Sequence, residues 1–349
     1  MNIAVLISGG VDSSVALHKL VQQGHQVTAF YLKIWLEDEL AFLGTCPWEE
    51  DLSYVRAVCE KLSVSLEVVS FQKQYWDRVV SYTLGEIKKG RTPNPDMMCN
   101  QQVKFGAFYE LFAAQFDAIA TGHYAQTEHL NDITYLVQSP DSIKDQTYFL
   151  ARLSQQQLQK ALFPIGGMTK AELRAYAYQA DLPNKERKDS QGICFLGKLK
   201  FSEFVHYHMG EQQGNLVEFE TGQIKGAHKG VWFYTHGQRQ GIGLAAGPWY
   251  VVSKDIVTNT VYISKQYHDL GKKRSFLTIQ DIHWLSGVSQ QEEYLVKLRH
   301  GPKKVLSKIT YLSDNAARID LSEDDQGIAP GQYAVLYDDR RCVASGVII

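Results

Sequence analysis

The sequence contains no Cys-x-x-Cys pair, and its 5 cysteines, Cys46, Cys59, Cys99, Cys194 and Cys342, are odd in number and irregularly spaced. That pattern excludes a disulfide scaffold and offers no zinc ligand set, so no protein-held metal centre is expected. No apolar run approaches the length needed to span a bilayer, and a strand pattern beginning at Ile3 leaves no room for a signal or transit peptide. Unpaired thiols point to a reducing, cytoplasmic location. There is no excess charge of either sign: the formal net charge is −2. Any polyanion site must therefore come from local clustering. The candidate clusters are Lys185-Glu186-Arg187-Lys188, Lys198 with Lys200, Lys272-Lys273-Arg274, and Lys297, Arg299, Lys303 and Lys304, each of which taken alone reads as a solvated face before it reads as a binding patch. Internal repeats and low-complexity tracts are also missing.

What remains is an ordinary globular composition, 44% hydrophobic and 21% charged over 349 residues, long enough for two or three domains. In the first half, apolar runs at Ile3 to Ile7, Gln26 to Ile34, Ser65 to Phe71 and Asp117 to Thr121 alternate with helical patterns. The helices are expected over Ser13 to Gln23, Glu50 to Leu62 and Gln74 to Lys89. This alternation predicts an α/β domain with a doubly wound parallel sheet over residues 1–200. Thr169-Lys170-Ala171-Glu172 is a capping box opening another helix. Recurrent glycines from Gly214 to Gly243 among β-favouring segments predict a small β-rich domain over 201–270. Six alternating runs, from Leu277 to Ile349, predict a barrel or sandwich over 271–349.

Ser8-Gly9-Gly10-Val11-Asp12-Ser13 lies between the first strand and the first helix, so backbone N–H groups and the helix dipole face whatever anion occupies the turn. The segment has neither the GxxxxGK[ST] of a P-loop nor the GxGxxG of a dinucleotide site. It resembles the PP-loop of ATP pyrophosphatases, which cleave ATP between the α and β phosphates and adenylate a substrate. The resemblance implies that Leu6, Ile7, Ser8, Gly9, Gly10, Val11, Asp12 and Ser13 bind ATP. It also implies that Asp12 helps hold Mg2+ on the pyrophosphate.

Arg91-Thr92-Pro93-Asn94-Pro95-Asp96-Met97-Met98-Cys99-Asn100 carries two prolines in three residues, a stiff entry that cannot lie inside a helix. Asp96 and Cys99, three apart, can share one turn. A second cysteine, Cys194, follows Gly192 and lies near Arg187 and Lys188, cations that favour the reactive thiolate. An isolated cysteine is usually a small buried hydrophobe, the reading applied to Cys59 and Cys342; the role of Cys46 stays open.

These two peptides resemble those of the tRNA-specific 2-thiouridylase family. So do Ala120-Thr121-Gly122-His123-Tyr124, Ser142-Ile143-Lys144-Asp145-Gln146 and Thr235-His236-Gly237-Gln238-Arg239-Gln240-Gly241, in the same order over nearly the full length. The resemblance implies ATP-dependent 2-thiolation of the wobble uridine of tRNA, giving AMP and pyrophosphate. Cys194 would take sulfur from a persulfide donor protein. Cys99 would release it through a Cys99–Cys194 disulfide or assist direct persulfide attack, with Asp96 as acid/base. Leu32 and Gly122 would line the adenosine site. Asn94, Pro95 and Asp96 would meet the base. His123, Lys144, Asp145, Gln146, Arg299, His300 and Gln332 would contact tRNA. His300 stands where the family usually has tyrosine, and Ile7 where it usually has methionine. His123 is equally readable as structural, while Trp249 and Tyr250 read as core aromatics in preference to base-stacking ones. Two rival readings remain. Another PP-loop synthetase or ligase explains the loop but not the cysteines; a non-catalytic tRNA-binding module explains the basic clusters and the barrel only.

Overall fold

The computed structural model describes residues 1–34, 47–189, 200–266, 274–287, 291–325 and 327–349. Cys46, Cys194 with most of its peptide, Lys198, Lys272 and Lys273 lie outside the described residues.

Five parallel strands form the first sheet: β1 (Asn2–Leu6), β2 (Gln26–Lys33), β3 (Ser65–Ser70), β4 (Ala118–Ala120) and β7 (Ala161–Leu162), in the order β3-β2-β1-β4-β7. The middles of the central strands are apolar and buried because both faces are covered. Ile3, Val5, Ala29 and Tyr31 pack on one side with helices α1 (Val11–Gln22) and α2 (Pro47–Leu62). Ala4, Leu6 and Phe30 face the other side, where Phe30 meets Phe108 edge-on with ring centroids 5.0 Å apart. β3, at the edge, is exposed at four positions and half-buried only at Leu66 and Val69.

The chain turns back between β1 and β4, so the loops leaving these two neighbouring strands open on the same crevice. The helix expected over Gln74 to Lys89 is present, with a π-helical turn at Trp76–Val80 interrupting it.

A small sheet of order β10-β11-β8-β9 follows, formed by β8 (Gly214–Glu218), β9 (Ile224–His228), β10 (Tyr250–Asp255) and β11 (Thr260–Ser264). Trp249 is buried in its core with Val251 and Ile263, and its indole N–H donates to the Ala245 carbonyl at 3.1 Å, so the core reading holds for that residue.

The C-terminal strands are β12 (Arg274–Trp284), β13 (Glu293–Lys297), β14 (Val305–Ser313), β15 (Ala316–Asp325), β16 (Tyr333–Asp338) and β17 (Arg341–Ile348). They pair in the order β12-β15-β14-β13-β16-β17, and β12 closes on β17, which settles barrel over sandwich. A hairpin not expected from the sequence, β5 (Ala125–Leu130) and β6 (Ile133–Gln138), extends the barrel sheet: Leu136 and Val137 pair with Cys342 and Arg341 of β17. No helix among the described residues is long and apolar enough to cross a membrane.

Candidate active site

The loop after β1 is built around its glycines. Gly9 has φ +78°, and a Cβ there would lie 2.6 Å from the Asp51 carbonyl oxygen. Ser13 Oγ donates to the Gly10 carbonyl (3.0 Å) and accepts from the Ser8 N–H (3.2 Å), folding the loop over the start of α1. Gly10, the N-cap, carries no side chain to occupy the first N–H groups of α1, which therefore face the crevice. Buried Asn184 braces the loop from behind, donating to Gly9 O (2.7 Å) and Ser14 Oγ (2.9 Å).

Gly122, leaving β4, closes the other wall. A Cβ on it would lie 2.6 Å from the Ser13 nitrogen and 2.8 Å from the Asp12 carbonyl carbon, so the two loops touch backbone to backbone. Leu32, near the end of β2, and Leu6 and Ile7, at the end of β1, stand at the same carboxyl edge. Val11 is buried in α1 against the Lys170–Gln179 helix and does not line the crevice with its side chain.

Charge is concentrated at the mouth. Asp12 Oδ1 accepts from Lys170 Nζ at 2.6 Å and from the buried Tyr124 hydroxyl at 3.0 Å. Lys170 also reaches Asp189 (2.8 Å), which further accepts from Lys144 (2.9 Å) and Arg174 (2.5 Å). Partial burial works to raise the Asp189 carboxyl, but the hydrogen bonds from Lys170 and Lys144 outweigh it and hold the group well below the usual carboxylate range. Arg187 pairs with Asp51 beside Gly9.

The cysteine peptide forms a short helix, Pro95–Cys99, for a reason visible in its sequence: Pro95 takes the first position, and Asn94 caps it by accepting the Met97 N–H at 3.1 Å. Asp96 and Cys99 are thus one turn apart; Asp96 is half-buried and Cys99 is buried at 1% exposure. The helix runs on into a π-helical stretch, Asn100–Ala107. Its displaced carbonyls find side-chain donors: Gln157 serves Gln101 O and Phe105 O, and Arg78 serves Gln102 O.

The 144–150 segment connects the cysteine helix to the nucleotide crevice. At one end, Asn100 Nδ2 donates to Phe149 O (3.2 Å). At the other, Gln146 Oε1 accepts the Tyr124 N–H (2.9 Å), and Tyr124 holds Asp12.

Several residues expected to touch RNA are committed internally. The Asp145 side chain is buried, paired with equally buried Lys297 of the barrel at 2.7 Å, and accepts further from Gln138 and Thr147. Neither that carboxylate nor Lys297 reaches the surface, so the basic cluster beginning at Lys297 is smaller than its sequence suggests. His123 is likewise buried and hydrogen-bonded to Thr121 Oγ1 (2.7 Å); burial, with Lys104 nearby, keeps its pKa well below the usual value. This is the structural alternative for His123, which cannot offer its ring to RNA in this arrangement.

Gln332 donates to the carbonyls of Pro93 (2.8 Å) and Thr92 (3.2 Å), while its own oxygen faces Asn94 Nδ2 at 3.4 Å. Beside it, the Thr92 N–H donates to Pro330 O (2.8 Å), and Gly331 approaches so closely that a Cβ would meet Thr92 O at 2.9 Å.

Arg299 and His300 remain at the surface. Arg299 pairs with Asp325. The His300 ring stacks on Phe149 with centroids 4.8 Å apart and planes at 29°, so histidine keeps the aromatic platform expected of tyrosine there. Cys59 and Cys342 are core residues; burial alone pushes the Cys59 thiol up to about 11. Sequence reasoning missed Lys170 and Arg174, whose contacts with Asp12 and Asp189 no local motif announces.

A glycine loop at the switch point of a parallel sheet, followed by a small β domain and a closed barrel, defines a three-part nucleotide-binding protein. Family models match each part: a tRNA methyl transferase HUP domain at residues 1–198, a tRNA methyl transferase PRC-barrel domain at 202–265, and an aminomethyltransferase beta-barrel domain at 274–348. Among curated relatives, the tRNA-specific 2-thiouridylase MnmA of Parabacteroides distasonis is 44% identical over 356 residues, covering 100% of this chain and 99% of the relative. MnmA 2 of Bacteroides fragilis is 46% identical over 356 residues, covering 100% of both. The chain belongs to the tRNA-specific 2-thiouridylase family. A solved complex of a 4-thiouridine synthetase with RNA and bound ATP aligns with a TM-score of 0.34 and 16% identity, covering 60% of this chain and 50% of that one, too little to carry an argument.

Proposed function

We propose that this protein is an ATP-dependent tRNA-uridine 2-sulfurtransferase acting on the wobble uridine. The observation that carries the reading is the linkage of an anion-binding loop to a cysteine helix through one hydrogen-bonded segment, Gln146 to Phe149. ATP is held by the N–H groups at the start of α1, with Leu6, Ile7, Leu32 and Gly122 around the adenosine. Asp12 suits Mg2+, which takes most of its ligands from water and phosphate and needs one or two carboxylates. Its Oδ1 is engaged by Lys170 and Tyr124, leaving Oδ2 as the oxygen to offer. The ion would neutralise charge developing on the phosphates.

The uracil C2 oxygen attacks the α-phosphate, pyrophosphate leaves, and the adenylated carbon becomes open to sulfur; AMP then departs with the former carbonyl oxygen. Cys194 carries the sulfur as a persulfide taken from a donor protein. Cys99 either attacks it, forming the Cys99–Cys194 disulfide and freeing sulfide, or assists direct transfer. Asp96, one turn from Cys99, is the proton carrier. Asn94 and Pro95 frame the base, while Gln146, Arg299 and the His300 face are the RNA-side candidates; Lys144, expected beside them, is turned onto Asp189 at 2.9 Å. The base must leave its stack to be reached, as anticodon-loop nucleotides can.

Incubation with ATP, magnesium, a persulfide source and unmodified tRNA is expected to yield 2-thiouridine, AMP and pyrophosphate. Cys99→Ala and Cys194→Ala should each abolish persulfide-dependent product while preserving ATP binding. Full activity in both variants refutes the sulfur relay, and ADP as product refutes adenylation.

A further inference from the structure

The strongest unassigned feature is the cation cluster around Asp189. Lys170 and Arg174 lie one turn apart on the Lys170–Gln179 helix, which packs against α1 through Leu173 and Ala177 on Val11, Val15 and Ala16. That packing sets Lys170 beside the start of α1, where it grips Asp12 at 2.6 Å. Lys144 comes from the opposite side, on a turn tied to the same helix by the Lys170 N–H bond to Asp141 Oδ2 (3.0 Å). All three cations converge on the single carboxylate of Asp189, at 2.5 to 2.9 Å. With Asp12 also on Lys170, two carboxylates answer three cations and leave the cluster one negative charge short; two of the cations are point-charge ammonium groups and one is a planar guanidinium that favours phosphate oxygens.

We propose that Lys144, Lys170 and Arg174 form a pyrophosphate subsite, and that Asp189 holds the place of the β and γ phosphates until nucleotide enters. The inference rests on the adenylation reading above and names the residues that take the leaving group. The loop of Ser8 to Ser13 has no lysine of its own. The cations that a P-loop carries within its motif are here brought in from 130 or more residues away, by α1 packing. When ATP binds, Lys170 and its neighbours exchange a carboxylate for phosphate oxygens. The Asp189 carboxylate offsets the mutual repulsion of the clustered cations, and phosphate takes over that role. The exchange also makes pyrophosphate, rather than AMP, the product whose affinity depends on them.

The test is calorimetric titration of the full-length protein, without tRNA, with inorganic pyrophosphate, ATP and AMP. Lys170→Met and Arg174→Gln are each expected to weaken pyrophosphate and ATP by about 10- to 100-fold, the range of a charge-assisted hydrogen bond, with AMP changed less than about twofold. Lys170→Arg should restore most of the loss. Asp189→Asn should tighten pyrophosphate several-fold by removing its internal competitor. Thermal melts of each variant identify any that fail to fold, and Lys144→Gln stands in for one that does. Equal weakening of AMP and pyrophosphate, or an Asp189→Asn variant with no gain in pyrophosphate affinity, overturns the subsite in favour of a purely structural role. A wild-type protein that forms ADP overturns the adenylation reading instead, leaving the pyrophosphate titrations to decide the subsite separately.

Discussion

Replacing Gln332 with alanine removes two donors from the carbonyls of Pro93 and Thr92 and an acceptor facing Asn94, the residue that caps the cysteine helix. The bonds at 2.8 and 3.2 Å are the ones with good geometry; the 3.4 Å contact is discounted. Each is worth about 0.5–1.5 kcal/mol net, so about 1–3 kcal/mol of bias toward the observed peptide geometry is lost. If that geometry is needed only when sulfur meets the activated base, the loss appears as an approximately 5- to 150-fold fall in the thiolation rate constant. Transfer RNA affinity should stay within about twofold, because the amide is spent inside the protein. Single-turnover thiolation measured alongside filter binding of tRNA separates the two parameters. A variant with normal single-turnover rate and weakened tRNA binding refutes this reasoning and restores Gln332 as an RNA contact.

Lys297→Met leaves the Asp145 carboxylate buried without its cation and should destabilise the protein by about 3–5 kcal/mol, whereas the paired change Lys297→Met with Asp145→Leu should recover much of that loss; chemical denaturation of both decides. Gly122→Ala forces a Cβ into the backbone at the start of α1 and should weaken ATP binding at least about tenfold, measured by calorimetry; unchanged affinity would mean the loops are not in contact. Burial, with Arg274 and Lys254 nearby, lowers His236 to about 4. Below the unfolded value of about 6.5 the unfolded chain binds the extra proton first, so stability is full above that pH and falls as pH drops toward 4. His236→Gln should make the fall in melting temperature across this window shallower, with the remainder left to other buried histidines such as His123, and an unaltered profile would contradict the assignment.

The elements legible in the sequence were those whose pattern is local. β1 and β2 read as apolar runs because both their faces are covered; β14 and the first half of β15 read as alternations because one face is wet, whereas β16 and β17 are buried on both faces, one in the barrel core and the other against the first domain. The β5–β6 hairpin had its own signal: Asn131 and Asp132 both adopt positive φ, the turn that closes a two-residue hairpin. The cysteine helix was hidden because Pro93 and Pro95 read as breakers, although Pro95 sits where the first turn of a helix tolerates it. The candidate site was legible as motifs and illegible as contacts. Asp145 and Lys297 are 152 positions apart, and no spacing rule says that one will bury the other. Gln332 reaches Pro93 across 239 positions, and Lys170 reaches Asp12 across 158; these contacts exist only once the barrel docks and two helices pack.

The pairing of β6 with the start of β17 also has a temporal side. During synthesis, Leu136 and Val137 emerge about 200 residues before Cys342 and Arg341, which at ordinary translation rates is about 10–40 s. Through that interval one edge of the nascent hairpin waits without the strand it will finally meet, while the segment carrying the nucleotide loop is completed early, once Asn184 has been made. The later-made strands therefore act as a latch: they cover that edge and bring Gln332 against the cysteine peptide. A ribosome that stops early would release a chain able to hold ATP but lacking the part that fixes the peptide around Cys99.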